Sequence, residues 1–417
     1  DIVARMLAQK LTASFKQSVI VDNRAGGGGQ IGIETAVRSV PDGYTTILMS
    51  GSYTTNAAVY KMSFDPVQDI LPLTGPPALL GAAHNLGVKI AIAEANAAGG
   101  INGRKLRLIS EDDGYVVSRT LQGVRKLVTS DKVFALTSLS GTAQGQAALP
   151  LVRELGVPTI ATISVYEELY KPVSKNVYAI GGDHEVGAKA LASALADKFP
   201  GKKWAIVSQN DEYGEKVREG FEEVVKAKKL NVVSQQIYKK GQVDFSSEML
   251  KVKQAGAEIL FAGGVLGENA AMAKELERQG HKIPFGTTYV SRVNALLGLM
   301  GTAAENLHSV DFVAMEDTPR GTAMMDLAKK HLTEDEFKKV NRYTFTGYAG
   351  AKTMFEAFKR CGKALTWDCT IKQMDGLKDF DTGVTTPVSF SPTNHFAGPA
   401  FTFVKADLAA KKFVPAN

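Results

Sequence analysis

From residue 100 onward the chain repeats one pattern, a short β-branched run followed by a longer segment with apolar residues at helical spacing. The strand-like runs are 106–110, 133–137, 158–162, 204–208, 232–238, 258–262 and 284–288. Among the helical stretches, Leu79, Ala83, Leu86, Ile90, Ala93 and Ala97 advance in steps of four and three, which places them on one face. Such alternation predicts an α/β fold, with parallel sheets flanked by helices. Ligands in sheets of this kind bind beyond the carboxyl ends of the strands, on loops and helix starts. A length of 417 residues exceeds one ordinary core and allows two or three domains.

The first seventy or so residues read differently. Helix over Ile2–Phe15, strand over 18–22, a glycine loop, helix over 31–40 and strand over 45–49 make a partial α/β segment that lacks an opening strand. Gly27, Gly29 and Gly32 have the spacing G-x-G-x-x-G of a dinucleotide loop. That fingerprint needs an acid about twenty residues on, to hold the ribose. Met49, Ser50, Gly51 and Ser52 stand there instead, so a tight loop capping a helix is the better reading. No Walker loop, H-E-x-x-H, nucleophile elbow or EF-hand loop occurs. The six histidines are dispersed, and the pairs Asp112–Asp113 and Glu167–Glu168 sit in polar stretches. Neither a metal nor a cofactor is expected, and the chain does not read as an enzyme.

The net charge of +6 is spread over scattered lysines and arginines, without an Arg-rich stripe or interleaved aromatics. Solvated helix faces explain it, and nucleic acid is not an expected partner. No apolar run reaches the roughly 18 to 20 residues of a bilayer span. The best candidate, 78–100, is broken by His84, Asn85, Lys89, Glu94 and Asn96. No leader is legible at Asp1, so either one has been removed or the chain is cut. Cys361 and Cys369 fit no zinc or redox spacing. They suit one small disulfide across a helical turn in an oxidising compartment, or two unrelated buried thiols. A bond between them is the expectation.

Segment 138–146, SLSGTAQGQ, follows a strand-like run and precedes an amphipathic stretch. Small and hydroxyl residues here leave backbone N–H groups at a helix start, which suits an anion or serves simple capping by Ser140 or Thr142.

Several longer segments carry a resemblance. PLTGPPALLG at 72–81, ANAAGGINGRKLRLISEDDGY at 95–115, GVPTIA at 156–161 and NDEYGEKVREGF at 210–221 are four of them. DFSSEMLKVKQAGAEILFAGG at 244–264 and PVSFSPTNHFAG at 387–398 complete the set. In that order they resemble the branched-chain amino-acid (Leu/Ile/Val) periplasmic binding proteins, type I two-lobed receptors of ABC importers. DIVARMLAQKL, VIVDNRAGGGGQIG, PDGYTTILM and FDPVQDILP, before residue 73, resemble instead the receptor family of tripartite tricarboxylate transport. The join falls at DILPLTG, where QDIL must serve as the first strand of the type I fold.

The resemblance implies a Venus-flytrap receptor, periplasmic, with a solute between two lobes and a membrane permease as partner. It implies residues 1–68 as an incomplete appendage. Lobe one would be 69–182 and 312–384, and lobe two 183–311 and the tail 385–417. By position the pocket would take Leu80, Gly141, Thr142, Ala143, Gln144, Ile163, Ser164 and Val165 from lobe one, and Tyr213, Val265 and Tyr289 from lobe two. Thr142 would mark the anion site, with Leu80, Val165 and Val265 enclosing an apolar body. Amino-acid receptors of the family keep a carboxylate near Tyr289 to face the ligand ammonium, and an aromatic at Leu80. An unpaired buried ammonium is costly. The expectation is therefore a carboxylate without an α-amino group, unless an acid such as Asp183 or Glu268 takes over the role. A ligand-sensing module of the same fold is the alternative function, and a dinucleotide-dependent enzyme a remote one.

Overall fold

A computed structural model describes residues 2–24, 35, 36, 39, 45 and 78–416. The chain divides into residues 1–73 and 74–417. In the first unit helix α1 spans Ile2–Phe15. It buries Ala8 and leaves Met6, Leu7 and Phe15 exposed. The expected strand at 18–22 does not form; there Val19 donates its N–H to Thr12 Oγ1 at 3.0 Å. The glycine loop with Gly27, Gly29 and Gly32, most of 31–40 and 45–49, and the first strand expected at QDIL, 68–71, lie outside the described residues.

The second unit is built on two sheets. Before the first passage between them come α2 (Ala78–Ala97), α3 (Val117–Arg125), α4 (Thr142–Leu155), β1 (Thr159–Ala161) and β2 (Val177–Ile180). Next come α5 (His184–Lys198), β3 (Lys203–Gln209), α6 (Glu212–Lys228), β4 (Asn231–Tyr238), α7 (Ser246–Gln254) and β5 (Ile259–Gly263). They continue with α8 (Leu266–Arg278), β6 (Phe285–Thr287), α9 (Asn294–Met300) and β7 (Leu307–Asp311). The chain then returns with α10 (Pro319–His331), α11 (Glu334–Phe337), α12 (Arg342–Cys361), α13 (Trp367–Asp375) and β8 (Phe396–Ala397), and closes with β9 (Thr402–Asp407) and β10 (Lys412–Pro415).

The small sheet runs β1-β2-β8, all parallel. The large one runs β10-β9-β7-β6-β5-β3-β4, parallel from β7 to β4 and antiparallel at β9 and β10. Strand β3 is buried at every residue after Lys203, as a strand covered on both faces must be. Helices α2 and α12 meet through glycines. A Cβ on Gly87 would lie 2.0 Å from the Thr344 carbonyl oxygen, and one on Gly347 2.1 Å from that of His84.

The structure departs from the sequence pattern ahead of β1. Runs 106–110 and 133–137 are not strands. The side chain of Asn96 takes both the N–H and the C=O of Leu106, at 2.8 Å each, and so stands in for a neighbouring strand. In the second run only Leu136 bridges, to Thr159.

The chain passes between the sheets after Ile180, after Asp311 and after Ala397. The third passage follows Ala397, whereas the lobe boundary was expected at 384/385. Val388 pairs with Phe380, Phe390 donates its N–H to the Leu377 carbonyl, and His395 accepts the Ala179 N–H at 2.8 Å. These backbone bonds tie the stretch before the third passage to 377–380 and to β2, and Phe396–Ala397 join the small sheet. Cys361, ending α12, is bonded to Cys369 in the first turn of α13, with Cα atoms 5.9 Å apart.

Candidate functional site

Helix α4 starts at a glycine for a steric reason. Gly141 has φ +88°, and a Cβ there would meet Gln144 Oε1 at 2.2 Å and the Tyr115 ring at 2.6 Å. Its N–H donates to Ser164 Oγ at 2.9 Å, which ties the helix start to the loop after β1. No side chain caps the first turn, so the N–H groups at Thr142, Ala143 and Gln144 have no side-chain acceptor. Thr142 is buried and Ala143 half-buried. Gln144 donates its Nε2 to the Tyr115 carbonyl at 2.7 Å. Helix dipole, N–H groups and a hydroxyl therefore converge at one place, suited to a carboxylate.

On the large sheet, Tyr213, Val265 and Tyr289 follow the carboxyl ends of β3, β5 and β6. This is the rim where parallel sheets bind ligands. Tyr213 shares a hydrogen bond of 2.9 Å with Thr288 Oγ1, and its ring meets His184 edge-on at 5.0 Å. Burial pushes its hydroxyl pKa up, so it is a neutral donor or acceptor. Val265 is half-buried and precedes α8.

Tyr289, also expected at the pocket, is held on several sides. It is 1% exposed, and its hydroxyl donates to the Gly182 carbonyl and accepts from His184 Nδ1 at 2.8 Å. Its ring packs on Phe312 at 5.3 Å and Phe401 at 5.7 Å. Gly182, Phe312 and Phe401 belong to the first, second and third passages, so Tyr289 joins all three. Asp311 secures the same region: Arg292 and Arg342 both bond its carboxylate, Arg342 Nη2 at 2.7 Å. Burial would raise Asp311, but the two guanidiniums outweigh it and hold the carboxyl below the usual range.

The apolar expectations are only partly met. Leu80 and Ile163 are buried in one cluster with Leu266, which lies between the first and second passages, and with Met315 and Tyr343 of the returning chain. Val165 belongs to a separate core with Val152, Tyr166 and Leu169, and Val265 packs against a third. Leu80, Val165 and Val265 therefore do not form one apolar wall. The Val165 carbonyl accepts the His184 N–H at 3.1 Å instead.

Asp183, one of the two alternative acids, is already committed. It caps α5 through the N–H groups of Glu185 and Val186 and accepts from Tyr170 at 3.0 Å. Glu268 is different: buried, in the first turn of α8, with Oε2 lacking a donor. Two more groups went unnoticed in sequence. His184 was one histidine among six dispersed ones. Tyr115, at φ +61°, reaches across so that Lys240 Nζ lies 3.7 Å from its ring centroid. A tyrosine following Gly114 in a turn-forming stretch was the available signal.

The comparisons agree with this architecture. A model of the periplasmic binding protein family matches residues 70–412. One of the tripartite tricarboxylate transporter family receptor matches residues 3–80. A Leu/Ile/Val-binding protein homolog of Brucella melitensis is 24% identical over 343 residues, 81% of this chain and 90% of the relative. A leucine-, isoleucine-, valine-, threonine- and alanine-binding protein of Pseudomonas aeruginosa is 24% identical over 65% of this chain and 73% of its own. Among solved structures, a branched-chain amino acid ABC transporter protein of Thermus thermophilus with bound valine superposes with TM-score 0.75 at 22% identity, covering 83% of this chain and 93% of its own. A solute-binding protein of R. palustris in complex with benzoate superposes with TM-score 0.71 at 18% identity, over 83% and 93%.

Proposed function

We propose, from the premise that this chain belongs to the periplasmic binding protein family over residues 70–412, that it is an extracytoplasmic receptor handing a small carboxylate or amino-acid-like solute to an ABC permease. The family is a solute-binding class and not an enzymatic one. No helix among the described residues is long and apolar enough to cross a membrane. The observation that carries the reading is the pairing of an uncapped helix start at Gly141–Gln144 with the strand-end rim of Tyr213 and Val265. In this reading lobe one is 78–182 and 312–397, lobe two is 183–311 and 398–416, and the solute lies between them.

Hinge closure is the working step. Each lobe holds half of the contacts, so the solute is fully bound only when the lobes meet, and it shifts the population toward the closed form. Three connections gathered on Tyr289 allow rotation about one locus. Thr142, with the N–H groups of Ala143 and Gln144, receives the acid group, through charge-assisted bonds of roughly 1.5 to 3 kcal/mol each. Native mass spectrometry of the purified protein tests the reading by identifying the small molecule it carries. Calorimetry of that compound against Thr142→Val then reports a loss of tenfold or more. A bound solute indifferent to Thr142→Val sinks the carboxylate assignment, and a protein that binds no small molecule sinks the receptor reading.

A further inference from the structure

Side chains of the two lobes meet across the cleft. Tyr115 precedes α4 and Lys240 follows β4, and Lys240 Nζ lies 3.7 Å from the Tyr115 ring centroid. Glu168, after β1, lies 3.7 Å from Lys216 Nζ of α6, and α4 touches α6. The Glu168 pair is largely exposed on the acid's side and contributes little. The Tyr115 pair is placed with more care. Tyr115 holds φ +61°, a conformation that a bulky residue keeps only when its surroundings fix it. Its N–H donates to Asp113 Oδ1 at 2.9 Å, and its carbonyl accepts from Gln144 Nε2 at 2.7 Å. The ring lies against the start of α4, where a Cβ on Gly141 would meet it at 2.6 Å. On the other lobe Gly241, at φ +79°, turns the chain directly after Lys240. Its N–H reaches the carboxylate of Glu268 in the first turn of α8, which fixes the turn that carries the lysine.

An ammonium over the face of a tyrosine is attracted by the ring quadrupole, and the attraction survives at partly exposed sites. Lys240 is exposed and Tyr115 half-buried, so the pair can part without opening a core. We propose that Tyr115 and Lys240 form a latch between the lobes, which holds the cleft closed beside the Gly141 helix start before any solute arrives. The proposal rests on the receptor reading, in which 78–182 and 183–311 fall in different lobes. A solute then completes a closure that the latch has already favoured, and it leaves only after Lys240 has left the ring. Glu268 acts at one remove, as a positioning residue for the turn at Gly241.

Double electron–electron resonance on the full chain, dialysed free of small molecules, tests this. Spin labels at Glu154→Cys of α4 and Glu222→Cys of α6, both exposed positions, report the separation of the lobes. The native cysteines are bonded to each other and take no label. The chain with native Tyr115 and Lys240 shows mainly the short distance. Tyr115→Leu and Lys240→Met each raise the long-distance fraction, by about two- to fivefold. The double variant opens no further than either single one, because both remove the same contact. Tyr115→Phe keeps the ring face and the native distribution, which a merely structural role for the hydroxyl would not allow. Lys240→Met, at an exposed position, carries the test should Tyr115→Leu not fold. A native chain found mainly at the long distance overturns the proposal. So do single variants with the native distribution, effects that add in the double variant, or Tyr115→Phe opening as far as Tyr115→Leu. The measurement uses no solute, so the receptor reading is judged separately, by the mass spectrum of the purified protein.

Discussion

The hydroxyl of Tyr289 lies 2.8 Å from Nδ1 of His184, and it also meets the carbonyl of Gly182. A carbonyl can only accept, so the single phenolic proton goes to Gly182. The phenol oxygen must then accept from Nδ1–H, which fixes the histidine tautomer and leaves Nε2 a bare, buried acceptor. One tyrosine thus sets the chemistry of a cleft-side histidine and fastens the three passages together.

Removing that hydroxyl should loosen the hinge. Tyr289→Phe strands Nδ1–H and the Gly182 carbonyl in a buried site, at a cost of about 1–3 kcal/mol. Denaturant unfolding measures it. Unchanged stability would show that neither bond contributes.

The buried Asp311 is the counter-charge for two guanidiniums, those of Arg292 and Arg342. Asp311→Asn leaves both without their shared carboxylate, and breaking a buried pair this way costs about 3–5 kcal/mol. Its lowered pKa fixes the sign of the pH effect. The stabilisation is complete above the unfolded carboxyl pKa and is lost as pH falls through the folded one. A melting series of Asp311→Asn between pH 7 and 3 should lack that acid limb.

His84 and His184 titrate in the same direction for another reason. Burial lowers them to about 4 and about 3 from 6.5. Below 6.5 the unfolded chain takes up protons that the folded one refuses. Stability is therefore full above 6.5 and falls with acidification, by on the order of 3 kcal/mol for each histidine at pH 4. His84→Gln, which keeps a partner for Thr162 Oγ1, should flatten the slope between pH 6.5 and 4. An unchanged slope contradicts the assignment.

Two glycines of one helix should respond oppositely to alanine. At Gly87 the new Cβ meets the Thr344 backbone, which cannot swing aside, and overpacking of this kind costs about 1–3 kcal/mol or more. At Gly81 nothing lies within 4 Å. There alanine gains about 0.5–1 kcal/mol of helix propensity. Thermal melts of Gly81→Ala and Gly87→Ala decide it.

The residues assigned to the solute fall between Gly141 and Val265, and Leu80 is the most N-terminal of those expected at the pocket. Deleting residues 1–66 should accordingly leave solute affinity within tenfold. A larger loss in a folded truncation gives the segment a part in binding.

By itself the sequence determined the α/β class, the alternation of β3 to β6 with helices and the small and hydroxyl residues at the start of α4; Tyr213 and Val265 were reached only through the family resemblance. The first three are local matters: β-branched runs, helical spacing and small residues before an amphipathic stretch declare themselves within a few residues. The tertiary structure alone decided the rest. Asn96 replaces a strand for Leu106 through a side-chain amide, which no periodicity records. The third passage waits until after Ala397 because backbone groups of Leu377 and Ala179 claim Phe390 and His395. The contacts by which Tyr289 joins three passages were not legible, since Gly182, Phe312 and Phe401 are remote from it in sequence. That Glu268 Oε2 has no donor emerged only once burial was fixed, because an unmet hydrogen bond is a property of the surroundings and not of the residue.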